Sequence, residues 1–97
     1  MHTVVCTINV NEGTSKQDIL YGIEASGLDY KDAAGLIRTY FGLAADGKSV
    51  VEIYLWRSKT DADKFFNHEW ETEVSRRWQA AATNRQDWET PLVVDGK

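Results

Sequence analysis

The 97-residue sequence is poor in residues that would fasten it covalently or through a metal: it has one cysteine, one proline and two histidines. A single thiol, Cys6, cannot close an internal disulfide, and no Cys/His cluster has zinc spacing, so disulfide scaffolds and structural zinc modules are excluded. No apolar run exceeds five residues, which excludes a membrane-spanning helix, and the N-terminal residues lack the charged and apolar regions of a secretory signal. A cytoplasmic location is the expectation. Positive charge is scarce too: 11 Lys and Arg against 15 Asp and Glu give a net charge of −4, with no Lys/Arg stripe to track a phosphate backbone. Neither nucleic acid nor a membrane is an expected partner.

Aromatic residues are present in surplus. Four Trp, four Tyr and three Phe make 11% of the chain, most of them between Tyr40 and Trp88. They suit both a small core and a flat ligand pocket. A chain of this length buries roughly 60–68% of the surface it exposes when unfolded. Its core is therefore thin, and a subunit partner would stabilise it.

Residues 1–97 read as one domain. Thr3 to Asn11 alternates Val4, Cys6, Ile8 and Val10 with the residues between them, the period of a strand. Thr14 or Ser15 caps a helix that carries Ile19, Leu20 and Ile23, runs to about Ser26 and stops at Gly27. Leu28 to Ala34 is a connecting loop, with or without a helical turn of its own. Gly35 to Leu43 and Ser49 to Arg57 form an antiparallel hairpin around Asp46-Gly47. Thr60, with Asp63 three residues on, opens a second helix whose inner face carries Ala62, Phe65 and Phe66. It bends near Asn67-His68 and continues through Trp70, Val74 and Trp78 at i, i+4, i+8. Arg85 to Asp95 is the last strand, placed at an edge or bulge by Pro91.

The order β-α-β-β-α-β predicts an α+β ferredoxin-like sandwich, an antiparallel four-stranded sheet with two helices on one face. The other face is left bare. Apolar residues on both faces of the first and third strands predict a second copy across it, a homodimeric α/β barrel.

Catalytic signatures of the common hydrolases, phosphate loops and zinc peptidases are missing, and no metal or cofactor is expected. His68 is the candidate near-neutral proton carrier, against a surface or capping role. Cys6, in an apolar layer, is expected to pack rather than react. Arg38 and Glu52, charges within strands, pair either with each other or across subunits; alternatively Arg38 holds an anionic substrate or an enolate-like oxyanion. Tyr40, Tyr54, Trp56, Phe66, Trp70 and Trp78 form an aromatic set that either seals the core or lines a pocket for a flat organic molecule.

The segments Gly35-Leu36-Ile37-Arg38-x-Tyr40-Phe41, Asp46-Gly47, Val51-x-Ile53-Tyr54-Leu55-Trp56-x-Ser58, Ala62-x-x-Phe65-Phe66 and Glu69-Trp70 resemble the YdhR-like branch of the antibiotic-biosynthesis monooxygenase (ABM) superfamily of dimeric α/β barrels. The resemblance runs from Gly35 to Val74 and over Pro91 to Asp95, more than half of the chain. Thr39 stands where similar members carry Lys, and Glu52 where they carry Gly. The resemblance implies a homodimeric, cofactor-independent monooxygenase that oxidises a small aromatic or phenolic substrate with O₂. In that role His68 would be the base and Arg38 would steady the anion. Tyr40 and Tyr54 would hydrogen-bond ring oxygens, Trp56 and Trp70 would stack, and Phe66 and Trp78 would complete the pocket. A non-catalytic small-molecule-binding or dimeric interaction module, and an isomerase or decarboxylase on the same fold, are the alternatives.

Overall fold

The structure is a computed structural model that describes residues 1–79 and 82–96. Its elements are β1 (His2–Asn9), α1 (Lys16–Tyr30), β2 (Leu36–Leu43), β3 (Ser49–Trp56), α2 (Lys59–Phe65), α3 (His68–Trp78) and β4 (Ala82–Glu89). The four strands pair antiparallel in the order β2-β3-β1-β4, with β2 and β4 at the edges. This is the expected ferredoxin-like sheet. No helix among the described residues is long and apolar enough to cross a membrane.

Alternation sorts the two central strands by face. His2, Val4, Cys6 and Ile8 of β1 are buried, as are Val50, Glu52, Tyr54 and Trp56 of β3, and the register sets Val4 opposite Tyr54 and Cys6 opposite Glu52. These residues form the layer under the helices. Thr3, Val5, Thr7, Val51 and Ile53 point the other way and are half-buried.

Ser15, one of the two expected caps, starts α1 by accepting the Asp18 amide at 3.1 Å, whereas several other boundaries differ from the sequence expectation. The helix does not stop at Gly27 but runs to Tyr30, because that extra turn places the Tyr30 ring against Phe41, Tyr54 and Phe65. Burying a side chain of that size contributes about 2 kcal/mol, against about 1 kcal/mol lost by a helical glycine. Ser58 rather than Thr60 caps α2, accepting the Asp61 amide at 3.1 Å; the same capping spacing occurs two residues earlier than expected. Finally, β4 spans Ala82–Glu89 instead of continuing to Asp95. Glu89 already pairs with His2, the first residue of β1, and after the Thr90 amide bonds the Met1 carbonyl there is no strand left to pair. Pro91 thus lies beyond the edge strand.

The break at Asn67 appears as expected: its side chain accepts the Trp70 amide at 3.0 Å and starts α3. Two apolar clusters result. One gathers Val4, Cys6, Tyr30, Tyr54, Trp56 and Ala62; the other gathers Ile8, Ile19, Val50, Val74 and Trp78. Trp70 packs against both.

Candidate active site

The hairpin register settles the two mid-strand charges, and it separates them. A bulge between Leu36 and Arg38 sets Arg38 opposite Leu55 and Phe41 opposite Glu52. Arg38 and Tyr40 therefore occupy the open face, whereas Glu52, Tyr54 and Trp56 lie under the helices. The expected Arg38–Glu52 pair does not form. Arg38 donates to the Tyr40 hydroxyl at 3.2 Å and lies 3.6 Å from Asp95; its side chain is 44% exposed and Tyr40 is 56% exposed.

Beneath the helices the aromatic set closes around Tyr54. Its ring stacks on Trp56 at 6.0 Å and meets Phe66 edge-on at 4.9 Å, and Phe66 in turn meets Trp70 at 4.8 Å. Trp78 belongs to the neighbouring cluster, its ring seated over Gly22 of α1, where a Cβ would come within 2.7 Å. His68 is exposed as the first residue of α3. Of the residues singled out from sequence, the fold thus brings together Tyr54, Trp56, Phe66 and Trp70, sets Trp78 beside them, and leaves Arg38, Tyr40 and His68 outside.

At the centre of the group is a carboxyl with no exposed surface. Glu52 takes the Tyr54 hydroxyl on Oε1, while Oε2 has no partner. Burial raises its pKa above the ordinary carboxylate value, opposed by Tyr54, by Arg77 and by Tyr30. The Tyr54 hydroxyl is pushed far up by burial and by the adjacent carboxyl. The Tyr30 hydroxyl stands close to Glu52, Tyr54 and Trp70 without the geometry of a hydrogen bond, and the Trp70 indole N–H is likewise unpaired. Arg77 is not free to neutralise Glu52, because its guanidinium is engaged by Ser26, Asp29 and Glu73.

A charged chain closes one side of this cluster. His2 Nε2 lies 2.7 Å from Asp87, Arg85 bonds Asp87 at 2.8 Å and Asp63 at 3.1 Å, and the Arg85 guanidinium covers the Phe66 ring at 4.7 Å. The Arg85 hydrogen bonds hold the Asp87 carboxyl below the usual range. On the other side, a cleft of about 220 Å³ runs between the end of α1 and β2, lined by Tyr30, Lys31, Arg38, Thr39 and Phe41 among others. Thr39 Oγ1 is buried there without a partner. A larger cleft of about 590 Å³ lies at the far end, between the β1–α1 loop and the hairpin turn, and is lined by turn residues such as Asn11, Gly13 and Lys48. No buried ionisable group lines it, so we place the site at the Glu52 cluster.

The sequence does not point to Tyr30, whose place follows from where α1 ends, and it marks Thr39 only as a departure from the Lys of similar proteins. Glu52 stands out in the sequence as an ion-pair member and as a departure from the Gly of similar proteins. Its signal was nevertheless present, since it shares strand parity with Tyr54 and Trp56.

No family model and no curated protein matches the chain. Solved structures do resemble it. A Deinococcus radiodurans protein assigned to the antibiotic biosynthesis monooxygenases superposes with a TM-score of 0.74 over 100% of this chain and 99% of that one, at 6% identity. A mutant form of SnoaB, a cofactor-independent oxygenase from Streptomyces nogalater, gives 0.74 over 98% and 97% at 10% identity. The ActVA-Orf6 monooxygenase of Streptomyces coelicolor, in complex with nanaomycin D, gives 0.71 over 99% and 92% at 15% identity. The chain has the α+β fold of the antibiotic biosynthesis monooxygenases.

Proposed function

We propose that this chain is a cofactor-independent monooxygenase of the YdhR-like branch, acting in the cytoplasm as a homodimer on a small aromatic or phenolic substrate. The single observation that carries the reading is the Glu52 carboxyl, wholly buried in an aromatic layer with one oxygen unpartnered. An uncompensated acceptor in such a layer costs stability, and perturbed groups of this kind gather at sites of chemistry. The resemblance to solved oxygenases is consistent with it at the level of fold.

Deprotonating the substrate makes an electron-rich anion that reacts with O₂ directly, and the protein supplies a base, hydrogen-bond donors and a dry site. For an anthrone-like substrate the methylene becomes a carbonyl: one oxygen atom of O₂ is retained and the other leaves as water with the two methylene hydrogens. Trp70 would hydrogen-bond a ring oxygen, with Tyr54, Trp56 and Phe66 as walls. The dimer reading is supported by the uncovered sheet face, where Val5, Val51 and Ile53 lie between exposed Tyr40 and Trp88.

O₂ uptake with anthrone, without added metal or flavin, tests this. Catalytic uptake supports the oxygenase. Turnover of a substrate under anaerobic conditions would instead favour an isomerase or decarboxylase. A second reading, a non-catalytic binding or interaction module, is favoured by one observation: Glu52, Tyr54 and Trp56 have no exposed surface. Binding of aromatic compounds without any turnover would support it.

A further inference from the structure

The open sheet face carries little charge for a chain of net charge −4. Edge strand β4 turns Arg85, Asp87 and Glu89 to the helix side, opposite Cys6, Val4 and His2, and gives the open face Asn84, Gln86 and Trp88. Among the described residues, Arg38 is the one charged side chain that strand register places on that face. The segment after β4 reaches it. Thr90 shares a hydrogen bond with the Thr3 hydroxyl, and further on Asp95 lies 3.6 Å from Arg38, at the opposite edge of the sheet. Trp88, Thr3, Leu55 and Arg38 make one row of the register, so residues 91–95 cross that row as a strap. Leu55 in this row is 9% exposed, whereas Val51 and Ile53 on the same face are half-buried. The outer side of the strap is apolar: Leu92 and Val94 are 73% and 78% exposed, and Val93 between them is less so.

We propose that residues 91–95 form a docking strap for a second copy of this chain, with Leu92 and Val94 seated on Val5, Val51 and Ile53 of that copy. This rests on the homodimer reading and names the segment that closes the contact. Charge favours a second copy as the occupant. Chains of net charge −4 repel one another, but on this face Arg38 and Asp95 cancel and leave amides and apolar groups, the composition of an interface core and its rim. Geometry favours it as well. The strap covers the Leu55 row and leaves Val5, Val51 and Ile53 bare, so a two-fold axis through the face lays each strap on the bare part of the other copy. The docking segment and the surface that receives it then lie on the same face, as an isologous contact requires. Arg38 acts here as a positioning residue that pins the strap through Asp95. Without that carboxylate it would meet the second copy as an uncompensated charge.

The test is sedimentation equilibrium of the whole chain over a range of micromolar concentrations. The wild type should be a dimer, and the double variant Leu92→Ser/Val94→Ser should raise its dissociation constant at least about tenfold, because two aliphatic side chains lose their burial. Both side chains are exposed in the single chain, so the circular dichroism of the variant should match that of the wild type. Asp95→Asn should weaken the dimer about three- to tenfold, and less so in added salt. The swapped pair Arg38→Asp/Asp95→Arg should restore the wild-type constant. A dimer of unchanged strength in the double variant overturns the strap and keeps the homodimer, whereas a wild-type monomer overturns both. A swapped pair as weak as Asp95→Asn overturns the pinning by Arg38.

Discussion

Tyr54 donates its hydroxyl to Glu52, two residues earlier on the same face of β3, and neither side chain has exposed surface. A carboxyl held this way makes the stability of the fold depend on pH with a defined sign. Burial raises its folded-state pKa, so the folded chain binds more protons than the unfolded chain between the two values. The contribution of Glu52 is complete below the ordinary carboxylate pKa and is lost as pH rises through the folded-state value. Glu52→Gln carries no charge, so its Tm should gain on that of the wild type as pH rises across this window. Parallel Tm curves for the two proteins would contradict this.

Cys6 should be chemically silent in the folded state. Burial, aided by the Glu52 charge, pushes its thiol up to about 12, far from the thiolate that reacts. A disulfide-exchange reagent at neutral pH should label it only as fast as the chain unfolds, and rapid labelling without denaturant would show that the β1–β3 layer opens locally.

Gly22 lies where α1 crosses the Trp78 ring of α3. A Cβ at this position would approach ring carbons at 2.7 and 2.9 Å, and the ring is buried. Gly22→Ala should therefore destabilise by about 1–3 kcal/mol through overpacking, in spite of the better helix propensity of alanine. Urea denaturation measures it, and combining the change with Trp78→Leu should recover part of the loss.

The open sheet face predicts the assembly. Ile53 lies at its middle, half-buried and opposite Val5 and Tyr40 on the neighbouring strands. Sedimentation at micromolar concentration should give a dimer for the wild type and a monomer for Ile53→Glu. A wild-type monomer would remove the homodimer.

Much of this architecture can be read from the residues themselves. Alternation in Thr3 to Asn11 gives the faces of β1, and Asp46-Gly47 gives the hairpin, with Gly47 at φ 72° as a tight turn requires. The site was legible only in part. Tyr54, Trp56, Phe66 and Trp70 converge because strand parity and helix spacing both aim them inward. Arg38 and Tyr40 do not, because the bulge between Leu36 and Arg38 sets the phase of the edge strand and no local pattern announces it. Tyr30 enters the site only because α1 runs through Gly27, a choice made by tertiary burial over local propensity. His68 drew attention by residue type, yet its position at the exposed start of α3 follows from the Asn67 cap.

The most direct measurement of the central claim is the initial rate of O₂ uptake with anthrone, taken across pH for the wild type, Glu52→Gln and His68→Ala. If the Glu52 carboxyl is the base that the proposed oxygenase supplies, Glu52→Gln should lose about 10²- to 10⁴-fold and the acid limb of the profile, while His68→Ala keeps both rate and profile to within about twofold. A wild-type rate that survives in Glu52→Gln and collapses in His68→Ala would contradict the account.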